Sequence, residues 1–158
     1  MVKETHRYPG VLAEDYRFEL PLDHARPAGE KIHVFARLLT ATQKKDEDLP
    51  YLVYIQGGPG FESPRPTTRS GWIDFALNEF KVLLVDQRGT GLSTQVCDRS
   101  LAQFESPEAQ AHYLSHFRAD AIVRDLEAIR RELLGEKTKW TILGQSFGGF
   151  CGLHYLSE

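Results

Sequence analysis

The stretch Trp140-Thr141-Ile142-Leu143-Gly144-Gln145-Ser146-Phe147-Gly148-Gly149-Phe150 constrains this chain more than any other. A short apolar run with β-branched residues passes through a glycine-flanked serine into a helical pattern. That is the strand–turn–helix of an elbow that presents a nucleophile. A serine hydroxyl is a weak nucleophile, so it must stand clear of the main chain at the head of a helix, near a base. The sharp turn forces strained dihedrals on the serine, and its close neighbours must be small. Gly144 and Gly148 carry no Cβ and supply that room. Ser146 is therefore the candidate nucleophile, with Gly144, Gln145 and Gly148 as its scaffold.

Upstream of the elbow the chain reads as alternating elements. Tyr16 to Leu22 and Lys31 to Leu39 each alternate apolar and polar, with Ile32, Val34, Ala36 and Leu38 on one face. They predict an antiparallel pair around the turn cluster at Asp23 to Gly29. Tyr51 to Ile55, Lys81 to Val85 and Trp140 to Leu143 are nearly continuous apolar runs, as strands buried on both faces would be. Between them, Trp72 to Phe80 predicts a short helix, and Ser106-Pro107-Glu108 a capped helix start. A further helix start falls at Asp120. From there Ile122, Val123, Leu126, Ile129, Leu133 and Leu134 form an apolar stripe at helical spacing, with Arg124, Glu127, Arg130 and Arg131 pointing away, until Gly135. The expected architecture is α/β: a mostly parallel sheet with an antiparallel N-terminal strand pair and helices on both faces.

Composition excludes several functions. A net charge of -3 leaves no electrostatic footprint for nucleic acid. No segment reaches the ~20 consecutive apolar residues of a membrane span, and the amino terminus lacks the apolar segment of a secretory signal. Cys97 and Cys151 read as reduced thiols, Cys151 as helix packing, which makes a cytoplasmic setting the expectation. No Gly-Lys-Ser/Thr follows Gly57 to Gly60, and Gly89-Thr90-Gly91 lacks a third glycine, so nucleotide and dinucleotide sites are excluded. His33, His112 and His116 read as surface residues, the last two without a third ligand for a metal. Trp72 and Trp140 read as core.

Three motifs stand in order: Gln56-Gly57-Gly58-Pro59-Gly60, Asp86-Gln87-Arg88-Gly89-Thr90-Gly91-Leu92-Ser93, and Gly144 to Gly149. Together they resemble the prolyl aminopeptidases (proline iminopeptidases), serine peptidases of the α/β-hydrolase fold. The run from Gly57 to Pro66 and the Pro21-Leu22-Asp23-His24 segment are similar to the larger-subunit type. The resemblance runs from about Tyr16 to the end. It implies release of an amino-terminal proline from a peptide through an acyl-enzyme at Ser146, without metal or organic cofactor, and with the backbone N–H groups of Gly58 and Phe147 as the oxyanion hole. Preorganised amides meet a tetrahedral oxyanion best, and one lost donor costs ~10²–10³ in rate. Many relatives have histidine where this chain has Gln56, a change that leaves a backbone donor intact. Gly57, Pro59 and Gly60 would shape that loop. Asp86 would accept bonds from loop amides, and Arg88 would tie down the same loop, with direct substrate contact as the alternative to this scaffold role.

A hydrolase of this fold takes its triad in the order Ser, Asp or Glu, His. His154 lies about two turns, ~12 Å, along the helix from Ser146. The expectation is therefore that residues 1–158 are the N-terminal part of a catalytic domain, with cap and later strands absent, inactive alone, and able to self-associate through an open sheet edge. The alternatives are another hydrolase on the same scaffold, such as an esterase, or a non-catalytic chain acting by association.

Overall fold

Alternation in the first part of the chain builds an antiparallel meander in the computed structural model, which describes residues 2–157. Strand β1 (Val2–Tyr8) turns at Gly10 into β2 (Val11–Pro21), which pairs along its length with β3 (Lys31–Ala41), from Val11↔Ala41 to Pro21↔Lys31. The predicted face of β3 is buried as Ile32, Val34, Ala36 and Leu38, while His33 is exposed. β1 was not expected. It is an edge strand with little buried surface, so its sequence has no apolar alternation to read. Charge, including the Lys3–Glu14 ion pair, blunts that edge.

β4 (Tyr51–Ile55), β5 (Lys81–Val85) and β6 (Trp140–Gly144) supply the parallel part, in the spatial order β1-β2-β3-β5-β4-β6. β4 lies parallel to both β5 and β6, and β5 closes antiparallel onto β3. The sheet is thus mixed rather than mostly parallel, because the N-terminal meander contributes as many strands as the parallel half. β6 also departs from expectation. Its neighbour on one side is β4 and its other side is open, so Thr141 and Leu143 are exposed rather than buried.

Helices cover both faces. α1 (Gly71–Ala76) packs Ile73 and Ala76, with the capping residue Leu77, against Leu39, Leu52, Val82 and Leu84. α3 (Pro107–Ser115), α4 (Ala119–Leu134) and α5 (Phe147–Tyr155) lie on the opposite face, over Val53, Ile55, Leu83 and Val85. A short α2 (Asp98–Leu101) precedes them. Ser106 caps α3 by accepting from the Ala109 amide at 3.2 Å. The stripe of α4 is buried as read at Ile122, Val123, Leu126 and Ile129, and Gly135 (φ +85°) ends the helix. Arg130 does not simply point away: it pairs with Glu127 and donates to the carbonyls of Gly135 and Thr138, tying the helix end to the approach of β6.

Candidate active site

The registers Ile55↔Val85 and Ile55↔Gly144 end three parallel strands side by side. The three motifs leave those ends together, which is where open α/β sheets place their sites. Motifs far apart in the chain thereby become spatial neighbours.

Ser146 follows β6 with φ 54° and ψ -120°, the sole non-glycine at positive φ among the described residues. The strain is held by close backbone packing. A Cβ on Gly148 would lie 2.0 Å from the Ile55 carbonyl oxygen, and one on Gly144 would lie 2.3 Å from the Gly148 carbonyl oxygen. Helix α5 then begins at Phe147, with Phe150 N–H donating to the Ser146 carbonyl at 3.1 Å. The Ser146 side chain makes no capping bond and is exposed. The Ser146 hydroxyl is thus presented at a helix head rather than spent on structure.

The loop after β4 lies against this elbow. A Cβ on Gly57 would lie 2.9 Å from the Gln145 carbonyl oxygen and 3.3 Å from Ser146 Cβ. Gly57 is buried, whereas Gly58 (φ +111°), Pro59 and Gly60 (φ +107°) are exposed. Among the described residues neither the Gly58 amide nor the Phe147 amide donates to a protein acceptor. Phe147 is the first helical residue, so its N–H has no intrahelical partner. The Gly57 amide is taken by the Gln56 side chain at 3.0 Å.

Asp86, fully buried, accepts from the amides of Ser63 (2.9 Å) and Leu92 (2.8 Å) and from Arg65, which binds the loops together as the sequence suggested. Arg88 behaves differently from expectation. Its guanidinium points away from its own loop and grips Asp125 on α4, the carbonyls of Pro21 and Leu22 at the end of β2, and the carbonyl of His116. A guanidinium only donates, and a buried carboxylate with three carbonyls outside the loop supplies its acceptors.

Trp72 is not core: it is 37% exposed and leans on Tyr54, ring centroids 4.8 Å apart. Cys97 and Cys151 are both free, and Cys151 is buried. Burial pushes the Cys151 thiol up to about 11. His112 and His116 stack edge to face, and no metal-binding cluster of three or more ligands forms among the described residues. His24 pairs with Asp125 and His6 with Asp15. Sequence reading missed Asp125, although an acid inside an apolar stripe signals a buried cation partner. It also missed Gln87, whose amide reaches the Gln56 carbonyl at 2.9 Å. That contact needs the β5–β4 adjacency to be known.

A family profile described as the alpha/beta hydrolase fold matches residues 50–158. The chain is 54% identical over 149 residues to a proline iminopeptidase of Aeromonas sobria, covering 94% of this chain and 35% of that protein. It is 38% identical over 160 residues to a proline iminopeptidase of Aspergillus aculeatus, covering 97% and 36%. The chain therefore spans about a third of the length of the curated relatives it matches. Among solved structures it is similar in fold to a cold-adapted esterase from an Arctic intertidal metagenomic library, with TM-score 0.58, 14% identity and coverage of 98% and 60%. It is also similar to a 2-hydroxy-6-oxo-6-phenylhexa-2,4-dienoate hydrolase of Rhodococcus sp. strain RHA1, with TM-score 0.53, 21% identity and coverage of 91% and 42%.

Proposed function

The chain belongs to the alpha/beta hydrolase fold family, and from that premise we propose that it is the nucleophile-bearing part of a serine aminopeptidase that releases amino-terminal proline from peptides. The observation that carries the reading is Ser146 at strained positive φ, exposed, beside two uncommitted amides. The similarity to two proline iminopeptidases supports the substrate class.

In this reading the Ser146 hydroxyl oxygen attacks the carbonyl carbon of the substrate's first residue. A base takes the hydroxyl proton, and the Gly58 and Phe147 amides hold the developing oxyanion. The C–N bond then breaks, the proton passes to the departing amine, and water releases proline from the acyl-enzyme. Gly57, Pro59 and Gly60 shape the donor loop. Asp86 and Arg88 hold the loops that flank it, and Gly144, Gln145 and Gly148 hold the elbow. This reading takes the base and its acidic partner from outside these 158 residues, which span about a third of the length of the relatives they match. No described helix is long and apolar enough to cross a membrane. Two free thiols support a cytoplasmic setting.

The test is hydrolysis of proline 4-nitroanilide by the full-length protein that carries this chain. Release of nitroaniline that disappears in Ser146→Ala is the expected result. Undiminished release in that variant would overturn the assignment. Ser146-dependent cleavage of 4-nitrophenyl esters with no action on the arylamide would assign a different hydrolase.

A further inference from the structure

The amide before the uncommitted one is anything but free. The Gln56–Gly57 peptide is pinned at both ends: its carbonyl accepts from Gln87 Nε2 at 2.9 Å, and its N–H donates to Gln56 Oε1 at 3.0 Å. Gln56 Oε1 also accepts from the Tyr54 hydroxyl at 2.8 Å, and Gln56 Nε2 donates to the Glu62 carbonyl at 3.0 Å. Donor and acceptor logic fixes the orientation of this amide, because Gly57 N–H can only donate and a carbonyl can only accept. Gln87 is itself 4% exposed and anchored on both sides. Its own carbonyl accepts from the Thr90 amide (3.0 Å) and hydroxyl (2.8 Å), while Asp86 and Arg88 are locked as described above.

We infer that Gln87 and Gln56 are positioning residues that clamp the Gln56–Gly57 peptide plane and so aim the next amide, that of Gly58, at the oxyanion. The inference rests on the reading of Ser146 and Gly58 given above. A peptide unit is planar, so fixing its carbonyl and its N–H fixes the whole unit. Only the dihedrals of Gly57 then separate that unit from the Gly58 amide, and packing of Gly57 against the Gln145 carbonyl confines them. Glycine alone would leave the donor loop floppy. The clamp converts that freedom into a preorganised donor without a side chain entering the site.

The clamp acts on the transition state, where the oxyanion exists, so its loss falls on kcat rather than KM. Gln87→Met, similar in size but with no donor, is expected to lower kcat on proline 4-nitroanilide about 10- to 100-fold with KM little changed, less than removal of the oxyanion donor itself. Gln87→Glu supplies a readout that a merely structural role would not move. Ionised, it faces the Gln56 carbonyl without a donor; protonated, it can donate again. Its kcat relative to wild type at the same pH is expected to rise as pH falls. Unaltered kcat in Gln87→Met, or a pH-independent ratio for Gln87→Glu, would overturn the inference. A variant-free measurement stands beside these: in the wild-type protein the Gly57 amide should exchange hydrogen much more slowly than the Gly58 amide, and equal rates would overturn the clamp. Absence of Ser146-dependent arylamide hydrolysis in the wild type would instead sink the functional reading, leaving amide exchange to decide the clamp.

Discussion

Arg88 grips Asp125 through both carboxylate oxygens, Nε to Oδ2 at 2.7 Å and Nη2 to Oδ1 at 2.6 Å, with both side chains buried. The rest of the guanidinium is equally committed, to the carbonyls of Leu22 and His116 at 2.8 and 2.7 Å and of Pro21 at 3.1 Å. All five N–H groups are used. With both Nη2 hydrogens taken, the His24 ring nitrogen 2.8 Å from Asp125 Oδ1 is left to donate to it. One cation thus joins the strand-end loop at Asp86, the end of β2, the α3–α4 junction and α4.

Removing one partner of this pair leaves the other buried and unpaired. Arg88→Met or Asp125→Leu alone is expected to cost about 3–5 kcal/mol in urea unfolding. The double variant Arg88→Met/Asp125→Leu should be much less unstable than the sum of the singles, since an apolar pair leaves no orphaned charge. A strictly additive double variant would show that the two do not act as a pair.

This pair also shows where sequence reading stops. The α4 stripe, its stop at Gly135, the Ser106 cap and the elbow at Ser146 were legible because each is set by residues within a few turns of one another. Asp125 sat inside that stripe in plain view, but its partner lies 37 positions away. Strand β1 was silent because an edge strand needs no apolar face. The Gln87–Gln56 bond depends on β5 lying next to β4, a crossover that no local pattern encodes. Backbone turn geometry around Gly144, Ser146 and Gly148 was readable, and tertiary side-chain contacts such as those of Gln87 and Asp125 were not.

Two adjacent glycines in α5 should respond oppositely to alanine. A Cβ at Gly148 meets the Ile55 carbonyl oxygen at 2.0 Å, so helix and strand must part and the elbow must distort. At Gly149 the nearest atom is 3.6 Å away, an ordinary contact. Gly149→Ala should therefore fold with stability raised by up to about 1 kcal/mol from helix propensity. Gly148→Ala should lose stability and, on the function proposed for Ser146, arylamide turnover by the full-length protein. Thermal melting of the pair decides, and equal behaviour would contradict the packing described for the elbow.

The two thiols should separate cleanly by reactivity. Cys151 is fully buried, and burial pushes its thiol up to about 11, so little thiolate exists at neutral pH. Cys97 is exposed, and hydrogen bonding with Ser100 holds its thiol below the ordinary value. Of these two, a thiol reagent is expected to modify Cys97 alone in the folded protein and both in denaturant, read by mass spectrometry. Equal native labelling of both would mean that α5 does not pack as described.

Glu127 links α4 to the helix that carries the elbow, accepting from Arg130 at 2.8 Å through each oxygen, from Arg131 at 2.8 Å and from the Tyr155 hydroxyl at 2.7 Å. The Arg130 hydrogen bonds outweigh desolvation and bring its carboxyl to about 2, from an ordinary value of 4.5. A carboxylate depressed in the folded state contributes stability that is complete above the unfolded pKa and is lost as pH falls through the folded one. The window is therefore from about 4.5 down to about 2. With 31% of the side chain exposed, solvent screening limits the contribution to about 1 kcal/mol. Glu127→Gln should lower stability at neutral pH by that amount and flatten the acid limb, so that wild type and variant converge as pH approaches 2. Urea unfolding at a series of pH values measures it. A constant gap between the two curves down to that pH would show that the carboxylate's charge is not what joins α4 to α5.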